Sequence, residues 1–224
     1  MSFGFLFYAA VLFAGLDWYA AWKEKRKLLY IAKPAVLLLL ILWSIQVTGW
    51  QGSMLWFGLG LVFSLGGDVA LLFSSRWFMV GLVSFLLAHL AFIIGFNSPM
   101  PAFSLYSILI AVTVALLGSQ VLRLIRPGIR RMPAARLMLP ASMVYGMALT
   151  IMWLSTLLTF FNATWNISAA LWAAAGGCFF FVSDSMLSYD RFVKKLAHGR
   201  FWVHVTYHLG VAGILIGAMI HFVK

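Results

Sequence analysis

Apolar stretches of roughly 20 residues follow one another along almost the whole chain, and that is the length a helix needs to cross the hydrocarbon core of a bilayer. They lie at about 3–22, 31–48, 53–73, 77–97, 102–122, 137–161, 165–188 and 201–222. Several breaks between them are only a few residues long: Gly49 to Gly52, Ser74 to Arg76, Asn97 to Pro101 and Asn162 to Asn166. No room is left for an extramembrane domain. The expectation is an all-α polytopic membrane bundle of about eight transmembrane helices, a single integral membrane domain over residues 1–224. Composition agrees, with 64% hydrophobic and 9% charged residues, against roughly 25% charged in soluble domains. The first apolar run lacks the charged n-region of a signal peptide and meets its first lysine at Lys23. It reads as a retained first span.

The net charge of +11 does not point to nucleic acid, because the basic residues sit between spans rather than on one folded face. Lys23, Lys25, Arg26, Lys27 and Lys33 surround the first connection, and Arg76 lies in the third. Arg123, Arg126, Arg130, Arg131 and Arg136 surround the fifth, and Arg191, Lys194, Lys195 and Arg200 fill the seventh. The second, fourth and sixth carry no Lys or Arg. Under the positive-inside rule this alternation fits an even number of spans with both termini outside the cytoplasm. The expected location is a bacterial inner (cytoplasmic) membrane. A topology reporter fused after Lys224 should therefore appear on the non-cytoplasmic side, and a cytoplasmic signal would contradict the assignment.

Spans three and seven each carry Asp-x-x-Leu near their inner ends, Asp68 to Leu71 and Asp184 to Leu187. Spans two and six both contain Pro-Ala, at Pro34-Ala35 and Pro140-Ala141. A parallel four-plus-four internal repeat would produce such matches. Cys178 is the single cysteine, so neither an intrachain disulfide nor a cysteine metal cage can form.

Five acidic residues occur in the chain. Glu24 and Asp190 read as loop charges, and Asp17 as a partner for the basic first loop. Asp68 and Asp184 differ: each sits inside an apolar span, where a charge costs at least about 2.5 kcal/mol. Counting from the expected span ends puts both about 7–10 Å deep on the cytoplasmic side, in one layer. Gly66, Gly67 and Ser64 adjoin the first, and Ser183, Ser185, Gly176 and Gly177 the second. Small residues serve close helix packing as readily as a ligand. His89, Tyr145, His204, Tyr207 and His208 fall at similar depth, and Lys33-Pro34 opens span two at the inner interface. The economical reading is a polar pocket open to the inner side, with Asp68 and Asp184 facing each other across it. Lys33, His89, Tyr145, Ser183, Tyr207 and His208 are the candidate substrate contacts. Lys33 would bind a substrate phosphate or steady an ionised aspartate, while anchoring its helix by snorkelling. Helix–helix hydrogen bonding is the competing use of all these groups.

His204 and His208 are spaced i, i+4 and share a helix face, a pattern that also suits zinc with an Asp as further ligand. Other motifs fail. Leu65 stands where the Gly-x-Gly-Asp of intramembrane aspartyl proteases needs its first glycine, and no Gly-x-Ser-x-Gly elbow or P-loop occurs.

Taken in order, Lys33-Pro34, Gly67-Asp68 with Leu71, Gly81 through Ala88-His89, Tyr145, Ser183-Asp184 with Leu187, and Thr206-Tyr207 resemble the YhhN or lysoplasmalogenase family of multi-spanning membrane proteins. Two departures bear on the substrate more than on the fold. Tyr207-His208-Leu209-Gly210-Val211 stands where the family has Tyr-Tyr-Leu-Ala-Gln, and Phe92 stands where an aromatic hydroxyl often follows the Ala-His pair. The resemblance implies hydrolysis of the alkenyl ether bond of lysoplasmalogens to a fatty aldehyde and glycerophosphoethanolamine or glycerophosphocholine. Its partner would be a lysophospholipid in the membrane, and neither a cofactor nor a protein partner is implied. Vinyl ether cleavage passes through an oxocarbenium-like cation and needs one acid and one ionised carboxylate, as in glycosidases. The alternatives are a zinc-dependent lipid amide or ester hydrolase using His204 and His208, and a small proton-coupled transporter.

Overall fold

The computed structural model describes residues 3–73, 75–101 and 104–223. It is all-helical there: α1 (Phe5–Trp22), α2 (Arg26–Thr48), α3 (Met54–Leu72), α4 (Phe78–Phe96), α5 (Leu105–Arg130), α6 (Ala135–Leu158), α7 (Ile167–Phe192) and α8 (Gly199–Phe222). Short 3₁₀ turns lead into α4 and follow α6. All eight helices are long and apolar enough to cross a membrane, which fits an integral multi-pass protein. The expected break residue Ser74 and the expected first residues of span five, 102 and 103, lie outside the described residues.

Three helices outrun their apolar stretches. α2 begins at Arg26 rather than 31, α5 continues to Arg130 and α7 to Phe192. Helical hydrogen bonding does not stop where hydropathy does, and Lys and Arg are good helix formers that reach the interface along their own stems. Two expectations change as a result. Pro34 lies well inside α2 instead of in its first turn, where it leaves the Tyr30 carbonyl without its helical donor. Asp184 lies eight residues, about two turns, inside the end of α7, against four residues for Asp68 in α3.

Sequence neighbours pack pairwise: α1 on α2, α3 on α4, α5 on α6 and α7 on α8, with α8 also reaching α1, α2 and α3. The α7–α8 contact is the most extensive and rests on glycine. A Cβ on Gly176 would lie 2.4 Å from the Ile214 nitrogen, and one on Gly213 would lie 2.7 Å from the Gly176 Cα. Backbones this close cannot admit a side chain. Gly176→Val should therefore cost about 1–3 kcal/mol by overpacking. It should also depress activity, because α8 carries Tyr207. Thermal unfolding in detergent checks this, and an unchanged Tm would contradict the packing argument.

Aromatics pack together toward the end of the bundle away from the aspartates. Phe57, Phe92, Phe96 and Met219 are buried there, and Phe57 packs on Phe96 at 4.9 Å and on Phe222 at 5.8 Å between ring centroids. The buried charged residues, Asp17, Lys33, Asp68 and Asp184, with His89, His204 and His208, gather toward the other end, while buried hydroxyls and an amide at this one (Ser44, Ser107, Ser155, Thr156, Thr159 and Asn162) are uncharged.

Candidate active site

Two acid clusters form at that polar end. In the first, the last turn of α3 presents Asp68, fully buried, to α2 and α8. Lys33 Nζ stands 3.0 Å from Asp68 Oδ1, and the Tyr207 hydroxyl donates to Oδ2 at 2.9 Å. Lys33 also lies 5.6 Å over the Tyr207 ring. The ammonium is itself buried in this ion pair instead of snorkelling to water. Gly67 makes room for the arrangement. A Cβ there would meet the Phe85 ring at 2.5 Å, and Phe85 in turn packs edge-on against Tyr207.

In the second cluster, α7 brings Asp184 to α4 and α6. The Tyr145 hydroxyl donates a hydrogen bond to Asp184 Oδ2. His89 Nε2 lies 3.5 Å from the same oxygen and 3.1 Å from the Tyr145 hydroxyl. Both partners fall on Oδ2, so Oδ1 has no hydrogen bond among the described residues.

Between the clusters stands Phe180, its ring centroid 5.0 Å from that of His89 and 5.4 Å from that of Tyr207. Among the described residues no hydrogen bond joins the two carboxyls; an aromatic partition separates the groups that hold them. The sequence-expected residues are thus brought together as Lys33–Asp68–Tyr207 and His89–Tyr145–Asp184. Ser183 is engaged elsewhere, its hydroxyl donating to the Val203 carbonyl at 3.0 Å and tying α7 to α8.

His204, His208 and Asp17 form a third cluster. Asp17 is fully buried and does not meet the basic loop: its Oδ2 lies 2.7 Å from His204 Nδ1 and 3.9 Å from His208 Nδ1. Trp18 Nε1 donates to His208 Nδ1 at 3.1 Å. The reading of Asp17 as a loop partner is corrected by the α1–α8 contact that buries it against His204. The imidazoles therefore face Asp17, and neither makes an ion-pair contact with Asp68 or Asp184. Among the described residues no group of three or more His, Cys, Asp or Glu side chains is arranged to hold a metal ion. A signal for Asp17 was present in the sequence: two histidines on one face of a buried helix call for an acceptor.

Two cavities reach this region. A vestibule of about 780 Å³ has Arg26, Lys33, Arg191, Arg200 and His204 in its walls. A narrow apolar cleft of about 50 Å³ runs between α4, α5, α6 and α7, with Leu82, Phe85, Ser142, Tyr145 and Asp184 in its walls. Leu71, Phe78, Leu187 and Arg191 belong to both. Asp184 thus borders an apolar cleft that adjoins a cationic vestibule, an arrangement suited to a molecule with a polar head and a hydrocarbon chain. Hydropathy ends the seventh span near residue 188 and leaves Arg191 in a connection, whereas α7 runs on to Phe192 and carries Arg191 into both walls.

No curated protein and no solved structure matches the chain. A model of the YhhN family matches residues 28–218, from the early turns of α2 to the last turns of α8, and so spans every residue of the first two clusters. The chain belongs to the YhhN family.

Proposed function

We propose that the protein is a lysoplasmalogenase, an ether hydrolase that cleaves the vinyl ether bond of a lysophospholipid within the membrane. One observation carries the reading: Asp184 is set in the wall of an apolar cleft that adjoins a cationic vestibule and shares Leu71, Phe78, Leu187 and Arg191 with it. Family membership, which suggests hydrolase activity of this kind, supports it.

The chemistry follows from the two clusters. Asp68, in an ion pair with Lys33, is the carboxylate of the pair. Asp184, with no Lys or Arg partner among the described residues, is the acid, and its Oδ1 is the oxygen left for a proton. Tyr145 and His89 hold the carboxyl in one orientation, which general acid catalysis requires. A proton passes from Asp184 to the outer vinyl carbon, and the double-bond electrons form the new C–H bond. The resulting cation, shared between the inner carbon and the ether oxygen, lies beside the new Asp184 carboxylate. The Asp68 charge acts on it through a low-dielectric interior. Water adds to the inner carbon and gives up a proton to Asp184, within reach of Tyr145 and His89. The hemiacetal then collapses to the aldehyde and the free glycerol hydroxyl. His89, Tyr145 and Asp184 form a path along which a proton can be returned.

The buried charges lie toward one end of the bundle, which favours this reading over a transporter, which needs charged groups along a path open to both sides. The test is product labelling. In D₂O the released aldehyde should carry one deuterium on the carbon next to the carbonyl. Aldehyde without that deuterium would exclude protonation at carbon, and fatty acid as the product would exclude ether cleavage.

A further inference from the structure

Arg191 sits where the vestibule meets the cleft and belongs to the walls of both. Its guanidinium carbon lies 3.6 Å from the centre of the Phe78 ring, stacked across it. Its Nε is buried without a hydrogen-bond partner, and the side chain makes no ion pair among the described residues. Of the other charges in the vestibule wall, Lys33 faces Asp68 and Asp190 takes Lys195 at 2.6 Å, whereas Glu24, Arg26 and Arg200 make no ion pair among the described residues. A stacked guanidinium whose donors have no partner, at the neck between a cationic cavity and an apolar one, is a ready site for an oxyanion.

We infer that Arg191 binds the phosphodiester of a single-chain phospholipid, with the headgroup in the vestibule and the first carbons of the chain entering the cleft beside Asp184. The vestibule supplies the volume for a headgroup, and Arg26 and Arg200 add positive charge without a carboxylate partner among the described residues. The cleft supplies apolar walls and space for a few heavy atoms, enough for the bond to be cleaved and its nearest neighbours. Phe78 fixes the plane of the guanidinium, so the phosphate sets how far the chain enters. Arg191 is in this account a binding and positioning residue for the reaction proposed above. The inference rests on that reading for its orientation of the chain but is tested without catalysis.

The test uses the purified full-length protein in detergent and a saturated alkyl-ether lysophospholipid, which has no vinyl bond to cleave. Its binding is compared with that of a monoalkylglycerol of equal chain length and with glycerophosphoethanolamine and inorganic phosphate, which have no chain. The lysophospholipid should bind at least ~10-fold more tightly than the monoalkylglycerol, Arg191→Gln should erase that difference, and Arg191→Lys should keep part of it. The chainless phosphates should bind weakly. Equal binding of the two lipids to the wild-type protein would overturn the inference, as would an Arg191→Gln protein that still prefers the phosphate. Chainless phosphate binding as tight as lipid would place a free phosphate ester there instead. Should Arg191→Gln fail to fold, the wild-type comparison and Arg191→Lys decide. Phosphate-selective binding through Arg191 without any vinyl ether cleavage would leave this inference standing and remove the hydrolase reading. Cleavage with no effect of Arg191 on selectivity would do the reverse.

Discussion

Asp184→Asn is expected to lower kcat by at least about 10³-fold, some 4 kcal/mol of barrier, while the protein stays folded in detergent. Asparagine keeps the size of the side chain and can still accept from Tyr145, so the α6–α7 contact survives. What it cannot do is deliver a proton to carbon. Tyr145→Phe should be milder, because it removes a group that orients the acid rather than the acid itself. Combining Asp184→Asn with Tyr145→Phe should cost little beyond the first change alone, since groups acting as a unit are not additive. Steady-state turnover alongside a thermal melt separates these outcomes. An Asp184→Asn protein within about tenfold of wild type would defeat the catalytic assignment of that residue.

The second large effect concerns stability. Lys33→Met leaves the Asp68 carboxylate, fully buried, without its counter-charge. Removing one partner of a buried ion pair costs about 3–5 kcal/mol. The reverse change, Asp68→Asn, should cost less, because Lys33 also borders the vestibule and its flexible stem can turn the ammonium toward water. The double variant, Lys33→Met with Asp68→Asn, should recover most of the loss caused by Lys33→Met, since no buried charge is left uncompensated. Denaturation midpoints of the four proteins complete the cycle. Equal and additive losses would show that the ion pair is not what joins α2 to α3 at this point.

How much of this was written in the sequence differs by feature. The eight spans were legible because hydropathy and span length obey one physical constraint, and the Lys/Arg alternation supports the same count. Their ends were not: hydropathy marks where lipid stops, whereas α2, α5 and α7 continue through basic residues beyond it. That error placed Arg191 in a loop and put Asp184 one turn too shallow. Asp68 and Asp184 stood out because a charge inside an apolar span is costly. Lys33, Tyr207, His89 and Tyr145 followed as polar groups at similar depth, but which of them meets which aspartate depends on helix rotation and on contacts between distant helices. Phe180 gave no signal at all, being one aromatic in the run Phe179-Phe180-Phe181, although its ring divides the two clusters. Asp17 was misread for a related reason. Its partner lies on α8, at the other end of the chain, and a local reading sees only the lysines that follow it.

The central claim is tested most directly by incubating the purified protein with a lysoplasmalogen and, separately, with the ester lysophospholipid of the same headgroup and chain length. Fatty aldehyde and the glycerophospho-headgroup should form from the first and no fatty acid from the second, with the aldehyde lost in Asp184→Asn. Fatty acid from the ester lipid, or no aldehyde from a folded wild-type protein given the alkenyl lipid, would contradict it.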